Sequence, residues 1–165
     1  MRRILITGSF DPVTIGHEDI IRRAASLFDD VRVTVFLNPK KPGMFSADAR
    51  VSFLKSVTKK YPNVSVDFDS GMVIDYVKRE DISMIVRSVR DEKDLPYEIK
   101  MAEFNREHGG VETLLLTADP ALCTISSTEV RRRITSGESF SDLVPVEIRE
   151  EITIFAKNIS AKPVV

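Results

Sequence analysis

Sulfur and imidazole chemistry is scarce in this sequence. Cys123 is its one cysteine, and only two of the 165 residues are histidines. A single cysteine excludes an internal disulfide, and one cysteine with two histidines cannot assemble a structural zinc site. Because proteins in the reducing cytosol generally have no disulfides, we expect a cytoplasmic location.

Net charge and long apolar runs are also lacking. The 24 lysines and arginines nearly balance 25 aspartates and glutamates, for a formal net charge of −1 at pH 7. This balance argues against the broad electropositive surface that tracks DNA or RNA. No apolar run approaches the roughly 20 residues that cross a bilayer, and the N-terminal run ends at residues 7–9, too early for a secretory signal. We therefore expect no nucleic-acid partner, no membrane partner and no export.

Two common nucleotide-binding motifs are missing. The sequence contains no G-x-x-x-x-G-K-[ST] loop and no G-x-G-x-x-G fingerprint, which argues against P-loop and dinucleotide-binding proteins. It also shows no serine or cysteine nucleophile with an evident paired base. Any nucleotide chemistry must therefore rest on another arrangement of residues.

Short β-rich runs alternate with helical patterns along the whole chain. The alternation predicts parallel strands joined by right-handed crossovers, and several runs are apolar throughout, as strands covered on both faces should be. The predicted fold is therefore α/β: a single-domain, open, parallel five-stranded sheet with helices on both faces. The predicted strands are residues 3–7, 31–37, 64–68, 83–86 and Glu112–Thr117.

Apolar residues recur at helical spacing between these strands. Pro145 suits the first turn of a C-terminal helix that carries Ile148, Ile152 and Phe155. No linker or internal repeat marks a boundary, so we expect one domain over residues 1–157 and a tail over 158–165. The stripes between the strands are Ile20, Ile21, Ala24 and Phe28; Arg50, Phe53, Leu54 and Val57; and Tyr97, Met101 and Phe104.

The first segment suited to ligand binding is residues 8–17, where the first predicted strand ends and a helix begins. In open α/β sheets, ligands bind beyond the carboxyl ends of the strands, where helix N-termini offer N–H groups to anions. Gly8 and Gly16 permit close backbone approach, and His17 would project from the first helical turn toward the crevice. Taken alone, the glycines and Pro12 are also typical of an ordinary turn.

A second segment, residues 124–131, follows the fifth strand. Ser126 and Glu129 form a capping-box pattern, which predicts a helix that starts behind Ser126. A capping box alone says nothing about ligands. The segment has more hydroxyl residues than one cap requires, and spare hydroxyl and N–H groups at a helix start suit phosphate oxygens. These hydroxyl residues are Thr124, Ser126, Ser127 and Thr128.

Charged residues follow two further strands. Arg87 and Arg90 come directly after the fourth predicted strand, where paired guanidinium donors can hold phosphates. Lys41 lies in a proline-bounded loop after the second strand, and Glu98 lies at a helical position further along. Each of these charges alone is as readily a solvated surface group. Together with His17 and the hydroxyl segment they converge on the ends of four strands, which predicts a pocket for a polyphosphate and a second anion.

These residues carry a resemblance to a known family. Residues 14–17, TIGH, resemble the (H/T)-x-G-H signature of the nucleotidyltransferase superfamily, and residues 125–128, ISST, resemble its second motif. Thr14, Lys41, the 87–90 segment, Glu98 and the chain length make the sequence similar to bacterial phosphopantetheine adenylyltransferases over nearly its whole extent. The resemblance implies a Rossmann-like nucleotidyltransferase fold. It also implies transfer of the adenylyl group of ATP to 4′-phosphopantetheine, which gives dephospho-CoA and pyrophosphate.

The same resemblance implies roles for individual residues. His17 would contact the triphosphate and stabilise the transition state, with Lys41 and Arg90 as further catalytic residues. Mg²⁺ would be the cofactor, its ligands unidentified by the sequence, and the chain would assemble as a homohexamer. The residues expected at the acceptor are Ser9, Lys41, Val73 and Arg87. The residues expected around ATP are Ser9, Phe10, His17, Ser88, Val89, Arg90, Glu98, Leu122, Cys123, Thr124, Ile125, Ser126, Ser127 and Thr128.

Four positions depart from the family pattern. Ser9 stands for the usual threonine and keeps the hydroxyl. Ser88 stands where glycine is usual, so its Cβ is expected to hinder close approach of the backbone to a phosphate. Leu122 occupies a place that is often aromatic, and Pro96 replaces a usual non-proline. The change at Leu122 bears on adenine packing, and the change at Pro96 bears on the start of the helix that carries Glu98.

Three other functions remain open at this point. A nicotinate mononucleotide adenylyltransferase is disfavoured because that group carries histidine where this chain has Thr14. A cytidylyltransferase is disfavoured by the chain length and by the 87–90 segment. A nucleotide-binding regulatory module without catalysis stays open because of Ser88.

Overall fold

Five apolar runs rich in valine, isoleucine and leucine form the strands of one parallel sheet. The computed structural model describes residues 3–37 and 43–160. The sheet order is β3-β2-β1-β4-β5, and each neighbouring pair is parallel. The prediction of a parallel five-stranded sheet is therefore confirmed. The strands are β1 (Arg3–Gly8), β2 (Asp30–Phe36), β3 (Val64–Asp69), β4 (Met84–Val89) and β5 (Glu112–Thr117).

Helices occupy the connections between the strands. The three predicted helical stripes fall on α1, α2 and α4, although Phe28 lies one residue beyond the end of α1. No helix within the described ranges has the length and apolar character needed to span a bilayer. The helices are α1 (Ile15–Leu27), α2 (Ala47–Thr58), α3 (Val73–Arg79), α4 (Leu95–Phe104), α5 (Ser127–Ser136) and α6 (Arg149–Ser160).

Alternation of side chains along β1 separates two cores. Ile4 and Ile6 point into the larger core, which also contains buried residues of α1, α2, α5 and α6. Leu5 points the other way and joins a smaller core with Ile85 and with Tyr76 of α3. Helices therefore cover both faces of the sheet, as the sequence predicts.

The central position of β1 determines where a ligand site can form. β1 pairs with β2 on one side and with β4 on the other, and Ile6 lies opposite Val86 of β4. The chain thus winds in opposite directions from β1, and a crevice opens where the two windings diverge, beyond the carboxyl ends of the strands. Residues 8–17 begin at that point.

Strand β4 is longer than predicted. The predicted strand ends at Val86, whereas in the structure it continues through Val89. Its last three residues, 87–89, pair with residues 115–117 of β5. Arg87 therefore belongs to the strand itself rather than to the loop behind it. Its guanidinium is carried by a fixed sheet backbone, which restricts its position more than a loop would.

Three helical features differ from the prediction. Helix α3 was not predicted, because it has only seven residues and its N-cap, Met72, makes no side-chain capping bond. Pro145 precedes a short 3₁₀ turn, Val146–Ile148, that leads into α6 rather than lying within the helix. Helix α6 continues through Ser160, so residues 158–160 of the predicted tail are helical, and 161–165 lie outside the described residues.

Candidate active site

A cavity of about 480 Å³ opens at the carboxyl ends of β1 and β4. Its walls bring together the two predicted motifs and both arginines from the fourth strand region. Val73, Val89, Cys123 and Thr124 do not line it, and Lys41 lies outside the described residues. The predicted site residues that line the cavity are Ser9, Phe10, His17, Arg87, Ser88, Arg90, Glu98, Leu122, Ile125, Ser126, Ser127 and Thr128.

The orientation of His17 follows from the start of α1. Thr14 is the N-cap, and its backbone N–H donates to Nδ1 of His17 at 3.0 Å. The hydroxyl of Thr14 lies 2.9 Å from the same nitrogen. Because a backbone N–H can only donate, Nδ1 must be the unprotonated nitrogen, and the neutral ring carries its proton on Nε2. The position of His17 in the first turn was predicted from the sequence, but the capping box with Thr14 was not.

The charge state of His17 agrees with that tautomer. Burial, with a smaller contribution from the positive charge of Arg90, lowers the pKa of His17 from 6.5 to about 4. The imidazole is therefore neutral at pH 7 and offers a single hydrogen-bond donor. Such a donor can bind a phosphate oxygen without adding a proton to it.

Phe10 packs against His17 from the β1–α1 loop. The two rings meet edge to face with centroids 5.1 Å apart. Phe10 is buried and its backbone φ is +44°, an uncommon conformation for a non-glycine residue. A Cβ on Gly8 would lie 3.0 Å from the Phe10 ring. Glycine at position 8 thus allows the loop to fold back and hold the histidine from one side.

Arg87 is held by an acidic side chain from α4. Its Nε and Nη2 both donate to the carboxylate of Glu98, and Nη1 donates to the hydroxyl of Thr7 at 3.2 Å. The bidentate hydrogen bond to Glu98 raises the pKa of the Arg87 guanidinium above its ordinary value. Glu98 was predicted as a nucleotide contact, whereas here its two oxygens bind Arg87. Pro96 lies in the first turn of α4, where no intrahelical N–H bond is lost, so it is compatible with this helix start.

Arg90 has a similar arrangement on the open side of the cavity. Its Nε donates to Asp94 at 2.8 Å and its backbone N–H lies 3.3 Å from the same carboxylate. Asp94 was not predicted as a site residue, because a four-residue spacing indicates an ion pair only on a helix, and Arg90 lies in the loop before α4. Asp94 and Glu98 come from the same end of α4. One helix start therefore orients both arginines.

The start of α5 forms the opposite wall. Ser126 caps the helix through its bond from the Glu129 N–H at 3.1 Å, as predicted. The hydroxyl of Ser127 donates to the carbonyl of Pro12 at 2.7 Å, and the hydroxyl of Thr128 accepts from Arg131. The hydroxyl groups of Ser127 and Thr128 are thus already hydrogen-bonded within the protein, contrary to the prediction that they are spare. Phosphate binding here would depend mainly on the N–H groups of the first helical turn.

Ser88 occupies an ordinary strand position. It pairs with Leu116, and its φ is not among the positive values in the described chain, so the backbone does not require glycine there. Leu122 and Ile125 contribute apolar surface to the wall of the cavity.

Protein ligands for a metal ion are not gathered at this site. Across the described ranges, no group of three or more histidine, cysteine, aspartate or glutamate side chains is arranged to hold a metal. The cavity carboxylates of Asp94 and Glu98 are each bound to an arginine. A cation at the cavity would therefore take its ligands mainly from bound phosphates and water.

Comparison with known proteins adds family information to this geometry. The sequence profile of the family described as Cytidylyltransferase-like matches residues 5–133. The phosphopantetheine adenylyltransferase of Thermobifida fusca (strain YX) is 42% identical over 152 residues, which are 92% of this chain and 93% of that protein. The phosphopantetheine adenylyltransferase of Corynebacterium diphtheriae is 43% identical over 153 residues, covering 92% of this chain and 96% of that protein.

A further relative and a solved structure agree with these matches. The phosphopantetheine adenylyltransferase of Streptomyces coelicolor is 40% identical over 158 residues, covering 96% of this chain and 99% of that protein. The crystal structure of a candidate nicotinate-nucleotide adenylyltransferase from Vibrio parahaemolyticus has a TM-score of 0.66 at 18% identity, covering 93% of this chain and 99% of that one. That likeness concerns the fold alone. The profile match and the identity over nearly the full length show that the chain belongs to the phosphopantetheine adenylyltransferase family of nucleotidyltransferases.

Proposed function

We propose that this protein transfers the adenylyl group of ATP to 4′-phosphopantetheine and releases dephospho-CoA and pyrophosphate. One observation carries the proposal: a chain 40–43% identical to named phosphopantetheine adenylyltransferases gathers a neutral histidine, two arginines and a helix N-terminus in one cavity. These groups are the kinds of donor that bind a triphosphate and an acceptor phosphate.

The reaction requires little covalent chemistry from the protein. A phosphate oxygen of the acceptor attacks the α-phosphorus of ATP, and a new P–O bond forms as the bond from that phosphorus to the bridging oxygen breaks. Pyrophosphate leaves with the bonding electrons, and no enzyme-bound intermediate forms. Catalysis then consists of positioning two anions that repel each other and of stabilising the charge on the phosphoryl oxygens.

His17 has the properties that this role requires. Its Nδ1 is occupied by the Thr14 N–H, so Nε2–H is the donor that remains for a phosphoryl oxygen. The lowered pKa keeps the ring neutral, and the edge of Phe10 restricts its rotation. A donor fixed before substrate binds costs little reorganisation in the transition state.

The two arginines and the start of α5 are assigned to different phosphate groups of the substrates. We assign Arg90 and the first turn of α5 to the ATP phosphates, because Arg90 is the more exposed of the two arginines. Arg87, fixed between Glu98 and Thr7, is assigned to the acceptor phosphate together with Ser9. Lys41 and Val73 are retained in this acceptor assignment from the family resemblance.

The remaining features of the proposal come from the family. Mg²⁺ would enter with ATP and supply charge neutralisation at its phosphates, since such ions are held largely by water and phosphate oxygens. We further propose a homohexamer located in the cytoplasm. Gel filtration with light scattering tests the hexamer, and a monomer or dimer at working concentration would exclude it.

A pyrophosphate-release assay tests the reaction. Purified protein is incubated with Mg²⁺ and either ATP or CTP and, in turn, with 4′-phosphopantetheine, pantetheine or nicotinate mononucleotide. We expect release with phosphopantetheine alone, because pantetheine lacks the attacking phosphate. Release only with nicotinate mononucleotide would identify the sister activity, and a requirement for CTP in place of ATP would identify a cytidylyltransferase. No release with any pair would favour the nucleotide-binding module.

A further inference from the structure

Next to Phe10, which lines the cavity, the chain has a buried carboxylate that the mechanism above does not use. Asp11 belongs to the β1–α1 loop and is 5% exposed. Its two oxygens accept hydrogen bonds from the backbone N–H groups of Met44 and Phe45, each at 2.9 Å. These two residues follow Lys41 closely in the sequence. Asp11 therefore fastens the segment after Lys41 to the loop that carries Ser9 and Phe10.

Arg50 of α2 contacts both of these segments. Its Nε lies 3.2 Å from the Asp11 carboxylate and donates to the carbonyl of Phe45 at 2.8 Å. Its Nη1 donates to the carbonyl of Ser9 at 3.4 Å. Both Arg50 and Asp11 are almost fully removed from solvent. A charge pair in this environment is fixed in geometry, because neither partner can turn to water instead.

Arg131 connects the same residue to α5. Its Nη1 donates to the carbonyl of Asp11 at 2.6 Å and lies 3.7 Å from the carboxylate. Its Nη2 donates to the hydroxyl of Thr128 at 3.1 Å, in the first turn of α5. Ser127 of that turn binds the same loop through the Pro12 carbonyl. Asp11 is thus the residue at which the wall proposed for ATP meets the segment proposed for the acceptor.

We propose that Asp11 is a positioning residue that sets the separation of the two substrates by holding these three segments together. The proposal rests on the proposed function, because it assigns α5 to ATP and the segment near Lys41 to the acceptor. Asp11 is not among the residues that line the cavity. It acts through the Met44 and Phe45 N–H groups on one side and through Arg131 on the other.

The two sides of this arrangement can be changed separately. In Asp11→Asn an NH₂ group replaces one carboxylate oxygen and faces a backbone N–H, from which it cannot accept a hydrogen bond. The substitution also removes the negative charge that pairs with Arg50 and Arg131. This variant should disturb mainly the acceptor side, because the 2.6 Å bond from Arg131 goes to the backbone carbonyl of residue 11 and is kept. Arg131→Met removes the Arg131 bonds that link Asp11 to α5 and leaves the Met44 and Phe45 bonds intact, so it should disturb the ATP side alone, with the Ser127–Pro12 bond still in place.

Two matched variants control for loss of stability. Asp30→Asn breaks the Arg3 ion pair, whose Nε–Oδ2 distance is 2.7 Å, at the end of the sheet away from the cavity. Arg132→Met removes the neighbouring arginine of α5, which pairs with Glu129 and Glu138 instead of Asp11. Each control removes a charged bond but none of the bonds that link the three segments to one another.

Three measurements on the folded full-length variants test the proposal. They are the Michaelis constants in the pyrophosphate assay, the affinity for the α,β-methylene analogue of ATP by calorimetry, and amide hydrogen exchange at Met44 and Phe45. We expect Arg131→Met to weaken analogue binding about tenfold, the scale of one charge-assisted hydrogen bond, with the KM for phosphopantetheine within twofold of wild type. Asp11→Asn should raise the KM for phosphopantetheine about tenfold and accelerate exchange at Met44 and Phe45, with a smaller effect on analogue binding, whereas both controls should change none of these.

The outcomes separate this proposal from the proposed function. If Asp11→Asn loses only stability, with both substrate affinities within twofold of wild type, Asp11 is merely structural and the proposal is wrong. If the wild type turns over none of the acceptors, calorimetry and hydrogen exchange still decide whether Asp11 links the ATP wall to residues 44–45. Should Asp11→Asn fail to fold, Arg131→Met with its Arg132→Met control decides alone, and unchanged analogue binding in it overturns the proposal.

Discussion

Arg87 and Glu98 form a bidentate ion pair that joins strand β4 to the first turn of helix α4. The side chain of Glu98 is 10% exposed and that of Arg87 is 23% exposed, so the pair lies at the boundary between the sheet and the cavity. Two guanidinium donors are committed to Glu98 and one to Thr7, so two of the five N–H groups remain for a ligand. Glu98 thereby determines which edge of Arg87 faces the cavity.

Glu98→Gln tests this relationship. The amide cannot accept two bonds from the guanidinium, so we expect Arg87 to lose its fixed orientation and the KM for phosphopantetheine to rise about tenfold. The free energy of unfolding should fall by about 1–3 kcal/mol, because a partly buried charge loses its partner. Steady-state kinetics and urea unfolding measure the two effects.

A surface glutamate serves as the control for that variant. Glu112→Gln alters a pair with Arg106 in which the atoms are 3.9 Å apart and both side chains are exposed. An exposed pair of this kind contributes little, so we expect unchanged kinetics and stability. A lower KM in Glu98→Gln would show the opposite role, in which Glu98 competes with the acceptor for Arg87.

The pKa of His17 predicts how stability changes with pH. Burial lowers this pKa to about 4 in the folded protein, against 6.5 ordinarily, so the unfolded chain binds more protons between these values. The contribution of the neutral His17 to the free energy of unfolding is therefore fully present above pH 6.5, and it is lost as the pH falls toward 4 and below. We expect the wild type to lose stability relative to His17→Gln over this interval.

Nuclear magnetic resonance measures the same ionisation directly. In His108→Gln the only imidazole signal belongs to His17, because the sequence contains two histidines. The signal in substrate-free protein should titrate near pH 4. A midpoint near 6.5 would mean that the ring is solvated and would remove the argument for a neutral donor.

Gly43 lies where a side chain would strike the buried ion pair. A Cβ at this position would lie 1.5 Å from Nη2 of Arg50 and 2.8 Å from Oδ2 of Asp11. We expect Gly43→Ala to lower the free energy of unfolding by about 1–3 kcal/mol, the usual cost of overpacking. Chemical denaturation followed by circular dichroism is the measurement.

Gly16→Ala provides the contrast in the same experiment. Its Cβ would meet its nearest neighbours at 3.6 and 3.9 Å, which are ordinary contact distances. Alanine also restricts the unfolded chain, so stability should be unchanged or up to about 1 kcal/mol higher. Equal stability of both variants would show that Arg50 can move aside and that the ion pair is not fixed.

The sheet was predictable because local signals agree with the tertiary structure. Strand β5 has the predicted bounds, since five of its six residues are β-branched or leucine and are flanked by turn residues. Strand β4 was predicted too short because Arg87 and Ser88 are poor strand signals, and only their pairing with β5 holds them extended. Helix α3 lacks both a capping side chain and the length to show periodicity.

The site was predictable as a set of residues but not as a set of bonds. His17, Arg87 and Ser126 could be assigned to one edge because each follows or ends a strand of a parallel sheet. The bonds from Asp11 to Met44 and Phe45 join residues more than 30 positions apart, and no sequence spacing indicates them. Contacts of this kind depend on how the loops pack above the sheet.

The central claim is that a neutral His17 donates a hydrogen bond to the phosphoryl group as adenylyl transfer occurs in this cavity. Its most direct test compares His17→Ala with wild type in turnover of ATP and phosphopantetheine and in affinity for the α,β-methylene ATP analogue. We expect a kcat lower by about 10²- to 10³-fold, with analogue binding changed only a few-fold. Turnover close to that of wild type, or equal losses in turnover and in binding, would contradict it.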